Sequence, residues 1–206
     1  MDAPDVEPDR LRGALGFIRK INRFLRYNTT TARAVAELGG ETLMDVACGS
    51  ADFRDVAPGG MRYIGLDFHA GTLGVAREWQ PEATLLRGDA LRLPLADDSV
   101  DVAMCQMALH HFDTADAAQF LAELDRVSRR GWVAADLLRR RRAMWWIGLF
   151  TMFSDPMVKH DGRVSVRQAW SPDEARALAE PLGATYTEVV GHRFMLTKRH
   201  AGEKDY

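Results

Sequence analysis

The chain has 206 residues, 47% of them apolar and 27% charged, which is enough for one well-buried domain and too short for two comfortable ones. A net charge of −2 argues against electrostatic capture of nucleic acid or of a membrane surface. Two cysteines, Cys48 and Cys105, both expected at buried strand ends, form no disulfide framework and point to a reduced, cytoplasmic setting.

Met1 to Pro8 is acidic with no apolar core behind it, so it reads as a loose tail and not as a secretion signal. From Asp9, Leu11, Leu15, Phe17, Ile18, Ile21, Phe24 and Leu25 recur at helical spacing among Arg and Lys, predicting an amphipathic helix. Asn28, Thr29 and Thr30 suit the cap of a second helix over residues 31–38, which Gly39-Gly40 stops. These two helices are expected to cover the substrate side of a sheet.

Residues 41–53 carry the central signal. A short apolar run ending in Val46 breaks at Gly49 among very small residues, then delivers Asp52 into the first turn of an expected helix. This is the layout of a strand leading into a ligand-binding loop. A dinucleotide turn would want Gly-x-Gly-x-x-Gly and an uncharged helix start for the pyrophosphate. Asp52 would oppose a pyrophosphate but suits a ligand carrying an ammonium group.

Residues 61–67 read as a second strand ending in Asp67, eighteen positions beyond Gly49, a spacing that fits one crossover helix between parallel strands. A carboxylate at that strand tip can accept both hydroxyls of a ribose, unless it merely caps the next helix, His69 to Trp79. Ala83 to Leu86 is the third expected strand and Asp101 to Cys105 the fourth, running into Gln106 to Phe112. Asp113-Thr114 caps a helix through Ala115 to Arg129, and Trp132 to Leu137 is the fifth strand. Strands alternating with helices in this way predict an α/β fold: a doubly wound, mainly parallel, seven-stranded sheet with helices on both faces.

Met144 to Phe153 is the longest apolar run, too short to span a bilayer. With the basic start Arg139 to Arg142 it forms an aromatic-rich helix open to three uses: a membrane surface, the lining of an apolar pocket, or the seam of a homodimer. Ser154 to Trp170 reads as a loop. Ser171-Pro172-Asp173-Glu174 is a helix start, with the helix reaching about Pro181, and Thr185 to Val190 and Arg193 to Thr197 are the closing strands. One domain is expected over 1–206: N-terminal helices 1–39, a ligand-binding core 40–137, a substrate cover 138–171, and a C-terminal helix and strands 172–206.

The loop Asp45-x-x-Cys48-Gly49-x-x-Asp52, with Asp67, Asp89-Ala90 and the segment after the fourth strand, resembles class I S-adenosylmethionine-dependent methyltransferases over about half the chain. The resemblance implies that Asp45, Ala47, Gly49, Ser50 and Asp52 hold the methionine end of S-adenosylmethionine, Asp67 the ribose, and Asp89 and Ala90 the adenine, with Phe68 and Gln106 completing the set. Ala47 and Ala51 stand where that family most often has glycine, and each added methyl narrows the room beneath the ligand. No ligand-spaced cluster suggests a metal.

Within the family, the size, the helical lead-in and Leu109-His110-His111-Phe112 look most like small-molecule enzymes of the ubiquinone-biosynthesis type and relatives acting on polyketide-like phenols. O-methylation of a small, fairly apolar acceptor is the first expectation, with no nucleic-acid partner. Either His110 or His111 is a candidate base for a phenol, with His160 and His192 as weaker ones. C-methylation of a quinol ring is the alternative. A catalytically silent binding module is the rival from another class, and Ala47 and Ala51 are its only support.

Overall fold

A computed structural model of the chain describes residues 7–152 and 156–201, without the side chains of residues 146, 150 and 157. Most of the expected N-terminal tail, residues 1–6, and the end of the aromatic run lie outside it.

The helices α1 (Pro8–Phe24) and α2 (Tyr27–Leu38) precede the strands β1 (Thr42–Val46) and β2 (Arg62–Asp67), then α3 (Ala70–Trp79), β3 (Thr84–Arg87) and β4 (Val100–Gln106). α4 (Thr114–Val127) leads directly into β5 (Ser128–Leu137), followed by α5 (Arg141–Phe150), α6 (Pro156–Gln168), α7 (Pro172–Ala179), β6 (Thr185–Val189) and β7 (Arg193–Arg199). The seven strands form one sheet in the order β3-β2-β1-β4-β5-β7-β6. The first five are parallel, and β7 runs antiparallel to both β5 and β6.

Alternate strand residues serve opposite faces, as the period of two requires. Met44, Val46, Ala103, Cys105, Trp132 and Ala134 meet Phe120, Leu121 and Leu124 of α4 and Ala175 and Leu178 of α7. Leu43, Val102, Met104 and Val133 meet Val35 and Leu38 of α2 and Leu73 and Ala76 of α3. Both faces are therefore covered, which is why the parallel strands read as continuous apolar runs. α1 packs Leu11 and Leu15 against Val75 and Trp79 of α3.

Four expectations need correction. α2 begins at Tyr27, so Asn28 lies inside the helix and is not its cap; only Leu25 and left-handed Arg26 separate α1 from α2. The first crossover is a short 3-10 turn, Asp52–Val56, because Pro58-Gly59-Gly60 stops any longer helix. β5 starts at Ser128, where a helix end was expected. The segment 154–170 is mostly helix and not loop: in α6, Val158, Gly162 and Val166 recur every fourth residue and form its inward edge, a pattern hidden among charged neighbours.

Candidate functional site

Parallel pairing brings the carboxyl ends of β1, β2, β4 and β5 to one side of the sheet, and two adjoining hollows open there. The smaller, a cleft of about 180 Å³, is walled by residues that include Asp45, Ala47, Gly49, Ser50, Asp52, Asp67 and Gln106. The larger, about 780 Å³, is lined mainly by apolar side chains together with His110 and His111. Ile18, Asn22 and Met107 belong to both walls.

In the cleft, the loop after β1 turns through left-handed conformations at Ala47 (φ 59°), Gly49 (φ 55°) and Ala51 (φ 55°). A side chain at Gly49 would meet no neighbour within 4 Å, so the space over it is free for a ligand. Ala47 faces the cleft, but Ala51 is fully buried and is not part of its wall. Only one of the two extra methyls therefore reaches the ligand's space. The strain of two left-handed alanines, about 1 kcal/mol each, is borne by the surrounding packing.

Three carboxylates converge on the cleft. Asp67, 8% exposed, accepts the Gly49 amide on Oδ2 (2.9 Å) and the His69 amide on Oδ1 (2.9 Å), which ties the loop after β1 to the tip of β2. Asp45 accepts the Tyr63 hydroxyl at 2.6 Å. Burial, reinforced by the nearby charges of Asp52 and Asp67, pushes Asp45 up to about 7 although the Tyr63 bond pulls the other way. Asp52 accepts from the amides of Asn22 (3.2 Å) and Asn28 (3.0 Å). Gln106 closes the relay: Thr31 donates to its Oε1 at 2.6 Å, and its Nε2 donates to Asn28 at 2.5 Å. Among the described residues, the cleft wall holds three Asp and no Lys or Arg. Such a wall favours a cation, and S-adenosylmethionine, with its ammonium and sulfonium groups, fits that charge.

Phe68, Asp89 and Ala90 lie outside this wall, at the ends of β2 and β3. Phe68 is 58% exposed and sets its ring edge-on to His69. Asp89 accepts the Leu91 amide within its own turn at 2.9 Å, and Ala90 packs into the core.

In the larger cavity His110 is buried and His111 exposed, with their rings 4.3 Å apart. Asp136, at the carboxyl end of β5 and fully buried, accepts the His110 backbone amide (3.0 Å) and lies 2.7 Å from its Nδ1. An ionised Asp136 places the proton on Nδ1 and leaves Nε2 as the ring's acceptor. Arg193, 2% exposed, stacks 3.7 Å from the centre of the Tyr27 ring, and its charge acts on Asp136. His192 lines the cavity, whereas exposed His160 does not. Sequence reasoning missed Asp136, Asn22, Asn28, Tyr63 and Arg193. Asp136 alone left a signal, an acid within the apolar run Trp132 to Leu137.

The family described as "Methyltransferase domain" matches residues 44–135, which hold the cleft loop and β4. The chain is 31% identical over 179 residues to a demethylmenaquinone methyltransferase of Parafrankia sp. (strain EAN1pec), covering 77% of this chain and 69% of that protein. It is 33% identical to a malonyl-[acyl-carrier protein] O-methyltransferase of Pectobacterium atrosepticum over 55% of this chain and 46% of that one. The chain spans less than half the length of several other curated relatives. A solved S-adenosylmethionine-dependent methyltransferase of Aquifex aeolicus shares the fold, with a TM-score of 0.61 at 16% identity over 95% of this chain and 99% of that one.

Proposed function

Because the chain belongs to the class I S-adenosylmethionine-dependent methyltransferases, we propose that it methylates a ring hydroxyl of a small, fairly apolar acceptor held in the larger cavity, with His110 as the base. The observation that carries this reading is the buried His110–Asp136 pair on the wall of an apolar cavity that adjoins the cleft.

S-adenosylmethionine, when bound, supplies an electrophilic methyl group on a sulfonium. In this reading Asp45, Ala47, Gly49, Ser50, Asp52 and Gln106 hold its amino-acid end, Asp67 accepts from the ribose, and Phe68, Asp89 and Ala90 flank the adenine. The protein's remaining task is to ionise and orient the acceptor. A phenol with a pKa near 10 is ionised in only about one molecule in a thousand at pH 7, so a base offsets about 4 kcal/mol. Asp136 fixes the His110 tautomer and stabilises the imidazolium that forms when Nε2 takes the phenolic proton. The apolar walls keep water from competing for the methyl group.

Methylation of a quinol ring carbon is the second reading, supported by the similarity to a demethylmenaquinone methyltransferase and by the size of the cavity. It uses the same deprotonation. Incubating the enzyme with a simple phenol and with a prenylated quinol, then locating the new methyl by NMR, separates the two.

The base is tested by a series of phenols of graded acidity. His110→Gln should lower kcat about 10²–10⁴-fold for phenols with a pKa near 10 and far less for acceptors already ionised at pH 7. A loss independent of acceptor acidity would mean that His110 only positions the substrate.

A further inference from the structure

Helix α5 has two apolar sides. Ala143, Ile147 and Thr151 face the larger cavity. On the opposite side Trp145 (84% exposed), Leu149 (57%) and Met152 (50%), the last just past the helix end, form an outward stripe at spacings of four and three residues. A Trp standing this far out of a protein, with further apolar side chains beside it, marks a surface that meets something.

The charge around the stripe indicates what that is. Arg141 and Arg142, both exposed, precede Trp145 by four and three residues and so begin the same face of α5. The adjacent helix α6 presents exposed His160, Arg163 and Arg167. Residues 139–170 carry seven Lys and Arg against two Asp, net +5, in a chain whose total is −2. Arg139 and Arg140 are taken up by Glu174 and Glu188. With Arg139 and Arg140 paired, Arg141, Arg142, Lys159, Arg163 and Arg167 still outnumber the two Asp of this segment, which also carries the exposed apolar stripe. A second copy of the chain docking through the same face would oppose two such segments, which like-charge repulsion disfavours.

We propose that the α5–α6 face docks on an anionic lipid surface, with Trp145, Leu149 and Met152 entering the headgroup boundary and Arg141, Arg142, Arg163 and Arg167 lying over the acidic headgroups. Docking would bring the cavity wall formed by α5 against the bilayer, the place where an apolar acceptor is dissolved. That the acceptor resides in the membrane rests on the function proposed above; the docking itself does not. An overall charge of −2 argues against capture of the molecule as a whole, but salt screens charges more than about 10 Å apart, so a surface responds to the local patch.

The test is co-sedimentation of the full chain with phosphatidylcholine vesicles, with and without phosphatidylglycerol, at two salt concentrations. Binding is expected with phosphatidylglycerol, weakening as salt rises. The double variant Arg141→Glu, Arg142→Glu should bind at least about thirty-fold more weakly, at about 1 kcal/mol per lost cation. Trp145→Ser should also weaken binding, and both variants should bind S-adenosylhomocysteine as the natural chain does, which shows that they are folded. Failure to sediment with anionic vesicles, or equal binding by the variants, would overturn the proposal. So would a dimer in analytical ultracentrifugation that Trp145→Ser dissociates, since the face would then belong to a second copy. A protein that methylates a water-soluble phenol yet ignores vesicles would refute docking and leave the enzymatic reading standing.

Discussion

Burial holds the Asp45 carboxyl near a pKa of about 7, well above its ordinary range, so the protonation of this one residue links pH to both folding and ligand binding. The folded state binds the Asp45 proton more tightly than the unfolded chain, whose Asp titrates near 4. Asp45 therefore supports folding fully below about pH 4, and that support is lost as pH rises through about 7. Ligand binding runs the other way. An ammonium group beside Asp45 favours the ionised carboxylate, so S-adenosylhomocysteine should bind more tightly as pH rises toward 8 and should release part of a proton near pH 7. Calorimetry in two buffers of different ionisation enthalpy measures that proton. Heats that do not depend on the buffer, or that depend on it equally in Asp45→Asn, would remove Asp45 from the ammonium site.

At the scale of elements, α1 and α2 roof the cleft, and beside their apolar packing they are tied to it by polar bonds. Asn22 and Asn28 donate to Asp52, while Gln106 ties Asn28 to the tip of β4. α1 also contributes Leu11, Leu15 and Ile18 to the cleft and Phe17, Ile18 and Ile21 to the cavity, so the same helix overhangs both. At about 180 Å³ the cleft is smaller than most small-molecule pockets, so the position of this roof bears directly on the room a ligand has. Asn28→Ala removes a bond at each end of a buried side chain and should cost about 1–3 kcal/mol. The expected readings are faster amide hydrogen exchange in the second turn of α2, whose amides bond back to the first, and S-adenosylhomocysteine affinity at least about fivefold weaker. Unchanged exchange would mean that the apolar contacts of α2 alone hold the roof.

For the molecule as a whole, the join between the parallel and antiparallel parts of the sheet is the most demanding feature. Gly131 on β5 pairs with Val102 of β4 on one side and Arg199 of β7 on the other, next to a register shift, with φ of 139°. A Cβ there would stand 2.0 Å from the Lys198 carbonyl oxygen, a backbone atom that can move only if β7 moves. Gly131→Ala should therefore destabilise the fold by about 3 kcal/mol, lowering Tm by roughly 6–12 °C. A melting temperature within a degree of the natural chain's would show that β7 shifts freely. The consequence reaches the cavity, because β7 begins at Arg193, stacked on Tyr27, and the turn before it supplies Val190, Gly191 and His192 to the wall.

The fold class was legible because a sheet covered on both faces writes itself as apolar runs separated by helical periods, and the loop around Gly49 marks itself by small residues that leave open space over its backbone. α6 was not legible: its inward edge of Val158, Gly162 and Val166 becomes apolar only beside α5, and among charged neighbours it reads as loop. Asp45, Gly49, Asp52 and Asp67 were found from sequence because strand-end position and spacing are properties of one chain segment. Asp136, Asn22, Asn28 and Arg193 come from other segments, and only packing sets an acid of β5 under His110 or amides of α1 and α2 on Asp52. Sequence alone thus determined the architecture, the small-residue loop after β1 that lines the cleft, and the family resemblance, since these depend on local pattern. The tertiary structure decided which histidine is buried against an acid and that α5 exposes one apolar side while lining a cavity with the other, because both are contacts between residues far apart in the chain.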